Sequence, residues 1–191
     1  MMLKDIVRKN RSYRRFYQDR KIPLDDLRDL VDLARLAPSA ANRQPLKYIL
    51  SADSAKNSTI FPYLGWAAYL KEWPGPEEGE RPSAYIIMLS DKRISDEVIW
   101  DHGICAQTML LGAVEKGYGG CIIGSVNKKG LREVLSIPEE YSIELVIALG
   151  VPRETVVIDG VPPDGDIKYW RDENRVHHVP KRSLDDLLPD L

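Results

Sequence analysis

Apolar residues in the first part of the chain recur at helical intervals. Over residues 2–10 this spacing indicates a short amphipathic helix. Residues 22–39 predict a clearer helix, because Pro23 and the aspartates after it suit a helix N-terminus, and Pro38 ends the pattern. The apolar face of this second helix is predicted to contain Leu27, Leu30, Val31 and Ala34.

Continuous or glycine-punctuated apolar runs predict about four short strands. They are LKYILSA at 46–52, AYIIML at 84–89, GYGGCIIGSV at 117–126 and IELVIALGVP at 143–152. Residues 97–116 have the length of a helix and are apolar nearly all round, so we expect this helix to be buried in the core or in a subunit interface. The strands do not alternate with helices as in a βαβ protein, and the predicted fold class is therefore α+β.

The remaining segments are less regular. Shorter helices are predicted at 53–61 (alternatively a loop), at 63–73, at 128–138 and, capped by Ser183, at 183–188. The stretch 74–82 is predicted to be a charged loop, and 152–180 an irregular chain rich in proline and glycine. No repeat or linker interrupts the pattern, so residues 1–191 are expected to form a single domain.

Composition narrows the classes of function. Hydrophobic residues make up 43% of the 191 positions, which is enough for one well-formed core. The 27 basic and 29 acidic residues argue against a general nucleic-acid or membrane-surface binder, and no apolar run is long enough to span a bilayer. The first residues lack an apolar stretch of signal-peptide length, and Cys105 and Cys121 lack metal-ligand spacing. A cytoplasmic protein with two reduced thiols is therefore expected.

One segment is densely cationic despite this balance. RSYRRF, residues 11–16, contains three arginines interleaved with two aromatic rings. A guanidinium binds phosphate oxygens in pairs and stays charged at every working pH, so the segment is suited to a phosphate. A solvated cluster paired with nearby aspartates, or a nucleic-acid surface, would give the same pattern. A second basic pair, Lys181–Arg182, would complete a phosphate-sized pocket if the two ends of the chain meet.

Two loops have the composition of a ligand site. APSAANRQP, residues 37–45, offers Ser39, Asn42 and Gln44 as hydrogen-bonding groups, although an ordinary loop after a helix has the same composition. GYGGCIIG, residues 117–124, is not a dinucleotide motif, because it leads from a helix into a strand. Its glycines fit either the close approach of a planar ligand or a tight turn. The three histidines lack metal-ligand spacing and no nucleophile motif occurs, so neither a metal site nor a catalytic side chain is predicted.

Taken together and in this order, RSYRRF, APSAANRQP and YGGCIIG resemble the nitroreductase family of flavin enzymes. A strand ending in ALGVP and a basic pair near the C-terminus extend the resemblance over nearly the whole chain. The resemblance implies a nitroreductase-like α+β fold, with a central, mostly antiparallel sheet of about four or five strands packed with helices. It also implies FMN as cofactor and a homodimer with two flavin sites in the subunit interface.

The resemblance assigns roles to individual residues. Arg11 and Ser12 fall where the family holds the FMN phosphate, and Lys181 and Arg182 match basic residues at the same group. Arg14 falls at the flavin pyrimidine edge or the ribityl chain, with Tyr13 beside it. The loop implied to reach the flavin from the second subunit contains Pro38, Ser39, Ala40, Asn42 and Gln44. The strand end implied to face the isoalloxazine is Ile122, Ile123 and Gly124.

The implied activity is that of an FMN-dependent oxidoreductase with a ping-pong mechanism. NAD(P)H reduces the flavin and leaves, and a nitroaromatic, quinone or similar acceptor then enters. The alternative is a non-catalytic flavin- or ligand-binding dimeric module of the same fold. Two differences from the family pattern leave this alternative open. Asn10 stands where many members have a basic residue, and Ala40 stands where the loop usually has serine. Residues 61–82 match no family pattern and are expected to shape a substrate pocket or a lid.

Overall fold

The computed structural model describes residues 2–188, in which α-helices surround a five-stranded sheet. The helices are α1 (Leu3–Lys9), α2 (Leu24–Arg35), α3 (Ser54–Ile60), α4 (Asp101–Glu115) and α5 (Lys128–Leu135). The strands of this sheet are β1 (Phe16–Tyr17), β2 (Leu46–Ser51), β3 (Ala84–Asp91), β4 (Gly119–Ile123) and β5 (Tyr141–Pro152). Every pairing in the sheet is antiparallel, which confirms the predicted α+β class.

Strand β5 organises the sheet. It pairs with β3 on one side and with β4 on the other, and its last two residues pair with β1. Strand β2 lies beyond β3 at the outer edge. All of β3 and most of β5 are buried, because helices cover one face of the sheet and α5 with the segment after α3 covers the other. The apolar runs at residues 84–89 of β3 and 145–149 of β5 follow from burial on both faces.

The two faces have separate cores. On the first face, α2 and α4 pack on the sheet through residues such as Leu30, Met109 and Ile147. On the second, Ile60 and Leu131 pack on the opposite side chains of the same strands. Helix α4 is buried along one face only, and Ile99, Trp100 and Ile104 at its start remain exposed. The prediction that this helix is buried in the core is confirmed for one of its faces, while its place in a subunit interface stays a prediction.

The amphipathic helix predicted at 63–73 is wrong. After a bridge between Leu64 and Val126, the chain continues in turns. The Gly65 amide donates to the Ser125 carbonyl at 2.7 Å, and a Cβ on Gly65 would lie 2.5 Å from the Ser125 Oγ. The segment is therefore held by the loop after β4 rather than by its own helical hydrogen bonds.

The irregular chain predicted for 152–180 is also wrong in part. A second sheet forms there from β6 (Val156–Gly160), β7 (Trp170–Arg171) and β8 (His177–Lys181), with β6 parallel and β7 antiparallel to β8. We call it the C-terminal sheet. Its strands are short and half-exposed, so they lack the apolar runs that mark the central strands.

The helix predicted at 183–188 with Ser183 as its cap is wrong in both cap and helix type, because Leu184 is the N-cap and its side chain makes no capping hydrogen bond. The Ser183 Oγ accepts from the Asp186 amide at 3.1 Å, and residues Asp185–Leu187 form one 3₁₀ turn. The single-domain prediction also includes residues 1 and 189–191, which lie outside the described range. Within residues 2–188, no helix has the length and apolar character that crossing a bilayer requires.

Candidate functional site

A cavity of about 350 Å³ opens where the two ends of the described chain meet. We call it the cationic cavity, because Arg11, Arg14 and Lys181 line it together with Ser12, Ile122 and His177. The two basic segments that are far apart in sequence therefore share one pocket. Among the described residues that line it, none is acidic.

The RSYRRF segment reaches this position because β4 begins with two glycines. Ser12 forms a parallel bridge with Gly120, and the Tyr13 amide donates to the Gly120 carbonyl at 3.1 Å. A Cβ on Gly119 would lie 2.5 Å from the Tyr13 ring, and one on Gly120 would lie 2.5 Å from the Ala148 carbonyl oxygen. These glycines are thus required for backbone packing within the chain.

The three arginines of the segment have different environments. Arg15 is buried and forms a bidentate ion pair with Glu80, which raises the pKa of Arg15 and lowers the pKa of Glu80. Arg11 donates through Nη2 to the Val7 carbonyl at 2.9 Å, which fixes its side chain beside the cavity. Arg14 also faces the cavity. Two of the three arginines are therefore placed to meet a ligand, and the third stabilises the fold.

Glu154 connects the segment to the C-terminal sheet, a role that we did not predict from the sequence. Its carboxylate accepts from the backbone amides of Arg14 and Arg15, and from the Arg171 guanidinium at 3.0 Å. Its side chain is fully buried. The only signal in the sequence was an acidic residue two positions after the last core strand, which is a common surface pattern.

Two aromatic side chains of the C-terminal part were also missed. Tyr169 and His177 line the cationic cavity, and their rings lie 5.3 Å apart. Burial, with Arg14 and Arg171 nearby, lowers the pKa of His177 to about 4. His177 is therefore neutral at physiological pH. His177 was not predicted as a site residue, because the histidines lack metal-ligand spacing and no other motif includes it.

A second cavity of about 270 Å³ adjoins the first. The two share Arg14, Ile122 and Tyr169, and the second continues along Gly124 to Trp66. Ile122 is 43% exposed and forms an apolar floor, although its neighbours in β4 are buried. A Cβ on Gly124 would meet no atom within 4 Å, so the neighbours of Gly124 do not require a glycine.

The loop of residues 37–45 has a well-defined anchor. The buried Asp101 accepts from the Ser39 hydroxyl and, at 2.9 Å, from the Ala40 amide. Asn42 and Gln44 adopt positive φ angles of 54° and 53°, a conformation that costs energy outside glycine. A strained loop held by a buried carboxylate is typical of a functional segment.

This loop does not reach the cationic cavity of its own chain. Pro38, Ser39 and Gln44 line a different cavity of about 300 Å³, beside Asp101 and Cys105. Within one chain, the two halves of the predicted site are therefore separate. The implied delivery of the loop by a second subunit stays a prediction.

The other predicted site residues have varied positions. Tyr13 packs on Gly119 and its hydroxyl donates to the Lys9 carbonyl at 3.1 Å. Ile123 is buried in the core, and both Ile123 and Gly124 line the second cavity. Three more predicted residues are exposed and line neither the cationic cavity nor the second cavity: Ala40, Asn42 and Arg182.

Comparison with known proteins places these features in a wider group. Residues 7–151 match the sequence model of the nitroreductase family. A protein of Archaeoglobus fulgidus, provisionally named NADH dehydrogenase/NAD(P)H nitroreductase, is 29% identical over 148 residues, which cover 73% of this chain and 80% of that protein.

Solved structures share the fold. A nitroreductase family protein from Streptococcus pneumoniae TIGR4 aligns with a TM-score of 0.69 at 20% identity, over 85% of this chain and 96% of the other. An FMN-dependent nitroreductase from Clostridium difficile R20291 aligns with a TM-score of 0.62 at 25% identity, over 78% and 86%. The C-terminal sheet lies outside the residues matched to the family.

Proposed function

The chain belongs to the nitroreductase family, and from this premise we propose that it is an FMN-dependent NAD(P)H oxidoreductase. The main support for FMN as the cofactor is the cationic cavity, where Arg11, Arg14 and Lys181 lie together in a chain of net charge -2. The C. difficile relative is named as FMN-dependent, and the name of the A. fulgidus relative includes NAD(P)H.

The residues present fit FMN. A phosphate requires fixed cations, and Arg11 and Lys181 supply them from opposite ends of the described chain. The cavities of about 350 and 270 Å³ meet at Arg14 and Ile122, which gives an elongated site with cations at one end. The exposed side chain of Ile122 provides apolar surface that a flat ring would cover.

In this proposal the chain binds and orients the cofactor. Arg11 and Lys181 hold the phosphate, and Arg14 stabilises negative charge at the pyrimidine edge. When bound, FMN would supply the redox chemistry, in ping-pong order, between NAD(P)H and a nitroaromatic, quinone or similar acceptor. Cys121 contributes no chemistry, because burial raises the pKa of its thiol to about 12. We nominate no catalytic side chain.

We further propose a homodimer. The loop of residues 37–45 is strained and anchored, yet it lies away from the cationic cavity of its own chain. A second copy would bring Ser39, Asn42 and Gln44 to that cavity. The apolar side chains of Ile99, Trp100 and Ile104, exposed at the start of α4, support an interface on this helix.

The visible spectrum of the purified protein tests the proposal. After incubation with FMN and desalting, we expect a yellow protein that bleaches when NADH or NADPH is added under nitrogen. Arg11→Ala and Lys181→Ala should each retain less FMN, whereas the control Lys129→Ala, an exposed cation of α5, should retain as much as the wild type.

Two other outcomes contradict parts of the proposal. A protein that stays colourless after desalting does not bind FMN. A yellow protein that neither nucleotide bleaches would support the alternative of a non-catalytic flavin-binding module, which the uncharged Asn10 in the lining of the cavity also favours.

A further inference from the structure

Arg14 is held at the cationic cavity by three contacts. Its Nη1 donates to the Ser12 carbonyl at 3.2 Å and lies 3.4 Å from the Nε2 of His177. Its Cζ lies 5.0 Å from the centre of the Tyr169 ring. Because a guanidinium has only donors, the His177 Nε2 must act as the acceptor. The histidine proton is therefore on Nδ1, and the ring is neutral.

His177 is itself fixed by the C-terminal sheet. Its residue is 1% exposed, and its backbone amide donates to the Thr155 carbonyl at 2.8 Å. In the sheet it lies opposite Val156 on one side and Arg171 on the other. The ring is enclosed in the interior, with the Tyr169 ring 5.3 Å away, so its rotation away from Arg14 is restricted and it provides a fixed acceptor.

The nearby carboxylate does not neutralise Arg14. Glu154 accepts from the Arg14 backbone amide, but its side-chain partner is the Arg171 guanidinium at 3.0 Å. A carboxylate paired with the Arg14 guanidinium would orient it and cancel its charge. A neutral imidazole orients it and leaves the full positive charge for a ligand in the cavity.

We propose that His177 is a positioning residue, which holds the Arg14 guanidinium toward the cofactor without neutralising it. The inference rests on the proposed function. It assigns to the C-terminal sheet, outside residues 7–151, the task of setting both the affinity for FMN and the reduction potential of the bound flavin. An unrestrained arginine would have to be ordered when the cofactor binds, which weakens binding.

Three substitutions separate orientation from charge. His177→Gln keeps a neutral acceptor, His177→Leu removes the acceptor, and His177→Glu replaces it with a carboxylate. The matched control is His178→Leu, the next residue on the same strand, whose ring pairs with Asp159 and Asp172 outside the cavity. The dissociation constant for FMN is measured by flavin fluorescence on apoprotein, and the midpoint potential by equilibration with a reference dye.

We expect the Gln variant and the control to bind FMN within about threefold of the wild type. The Leu variant should bind about tenfold more weakly or worse, the scale of one lost hydrogen bond to a charged group. The Glu variant should have a more negative midpoint potential than the Gln variant, because a neutralised Arg14 no longer stabilises reduced, anionic flavin.

A folded Leu variant with the wild-type dissociation constant and potential overturns the inference. If the Leu variant does not fold, the Gln and Glu variants decide, and equal potentials in these two overturn it. The inference is supported if the wild type and His178→Leu bind FMN with similar affinity and His177→Leu binds it about tenfold more weakly. A wild-type protein that binds no FMN overturns the proposed function first, and the inference with it.

Discussion

Removing the charge of Glu80 should destabilise the fold strongly. The side chains of Arg15 and Glu80 are 5% and 6% exposed and form a bidentate pair. Arg153 and Arg175 each place a guanidinium nitrogen 3.8 Å from the same carboxylate. Glu80→Gln keeps the volume of the side chain but leaves three guanidinium groups without their shared anion, one of them buried.

The expected loss can be estimated from the burial. Breaking a buried ion pair by removing one partner costs about 3–5 kcal/mol, whereas an exposed pair contributes about 0–1 kcal/mol. Arg28→Gln is the control, because Arg28 pairs with Asp25 at 3.3 Å while both side chains are largely exposed. We therefore expect Glu80→Gln to lower the free energy of unfolding by about 3 kcal/mol, and Arg28→Gln by less than about 1 kcal/mol.

Urea denaturation at pH 7 measures both variants. The double substitution Arg15→Met with Glu80→Leu should recover much of the loss, because two apolar side chains replace both charges at similar volume. A loss below about 1 kcal/mol for Glu80→Gln would refute the reasoning, since it would mean that Arg15 is as well solvated as a surface cation. A double variant no more stable than Glu80→Gln would show that unpaired charge is not the cause.

Further predictions concern the site. Gly120→Ala should lower the melting temperature, because its Cβ would lie 2.5 Å from a backbone oxygen. Gly124→Ala should leave the melting temperature unchanged, because its Cβ would meet no atom within 4 Å. It should weaken FMN binding if the cofactor approaches Gly124. Asp101→Ala should cost about 1–3 kcal/mol and speed amide exchange in residues 37–45, which lose two hydrogen bonds. The pKa of His177 is about 4 in the folded state, below its ordinary value of about 6.5. As the pH falls, the unfolded state therefore binds the proton first. His177 alone should lower the free energy of unfolding by about 2 kcal/mol between pH 7.5 and pH 5. Urea titrations at both pH values measure the difference between the wild type and His177→Gln, which lacks the titrating imidazole.

Each of these predictions has a clear contrary result. Equal melting temperatures for the Gly120 and Gly124 variants would contradict the packing argument. Unchanged exchange in the loop would show that Asp101 does not hold it. A His177→Gln variant whose stability falls with pH as steeply as that of the wild type would show that this histidine titrates normally.

The regular core was predictable because its signals are local. Residues 84–89 of β3 and 145–149 of β5 are unbroken apolar runs, and α2 has a clear apolar face with Pro23 before it. The segment 63–73 and the C-terminal sheet were not predictable, because distant residues hold them. Their decisive hydrogen bonds join positions such as Gly65 and Ser125, which no short sequence window contains.

The two basic segments of the candidate site could be singled out from the sequence, but the sequence could not show that they share a cavity or which of their side chains face it. RSYRRF predicted a cationic site, and the family resemblance implied Arg14, but the residue pattern itself did not distinguish Arg14 from Arg15 as the side chain that faces the cavity. The distinction depends on Glu80, 65 positions later in the chain, which pairs with Arg15 in the interior. His177 was missed for a related reason, since its role depends on contact with Arg14 across 163 positions.

The placement of carboxylates explains how a chain of net charge -2 builds a cationic cavity. The two buried glutamates nearest RSYRRF bind groups away from the cavity: Glu80 binds the Arg15 side chain, and Glu154 binds backbone amides and Arg171. Arg14 is oriented instead by a neutral imidazole. Because the described lining of the cavity contains no carboxylate, its cations keep their charge for a ligand. The net charge of a chain therefore does not predict whether it contains an anion-binding cavity. The affinity of the cavity for an anion depends instead on which residues neutralise the neighbouring carboxylates.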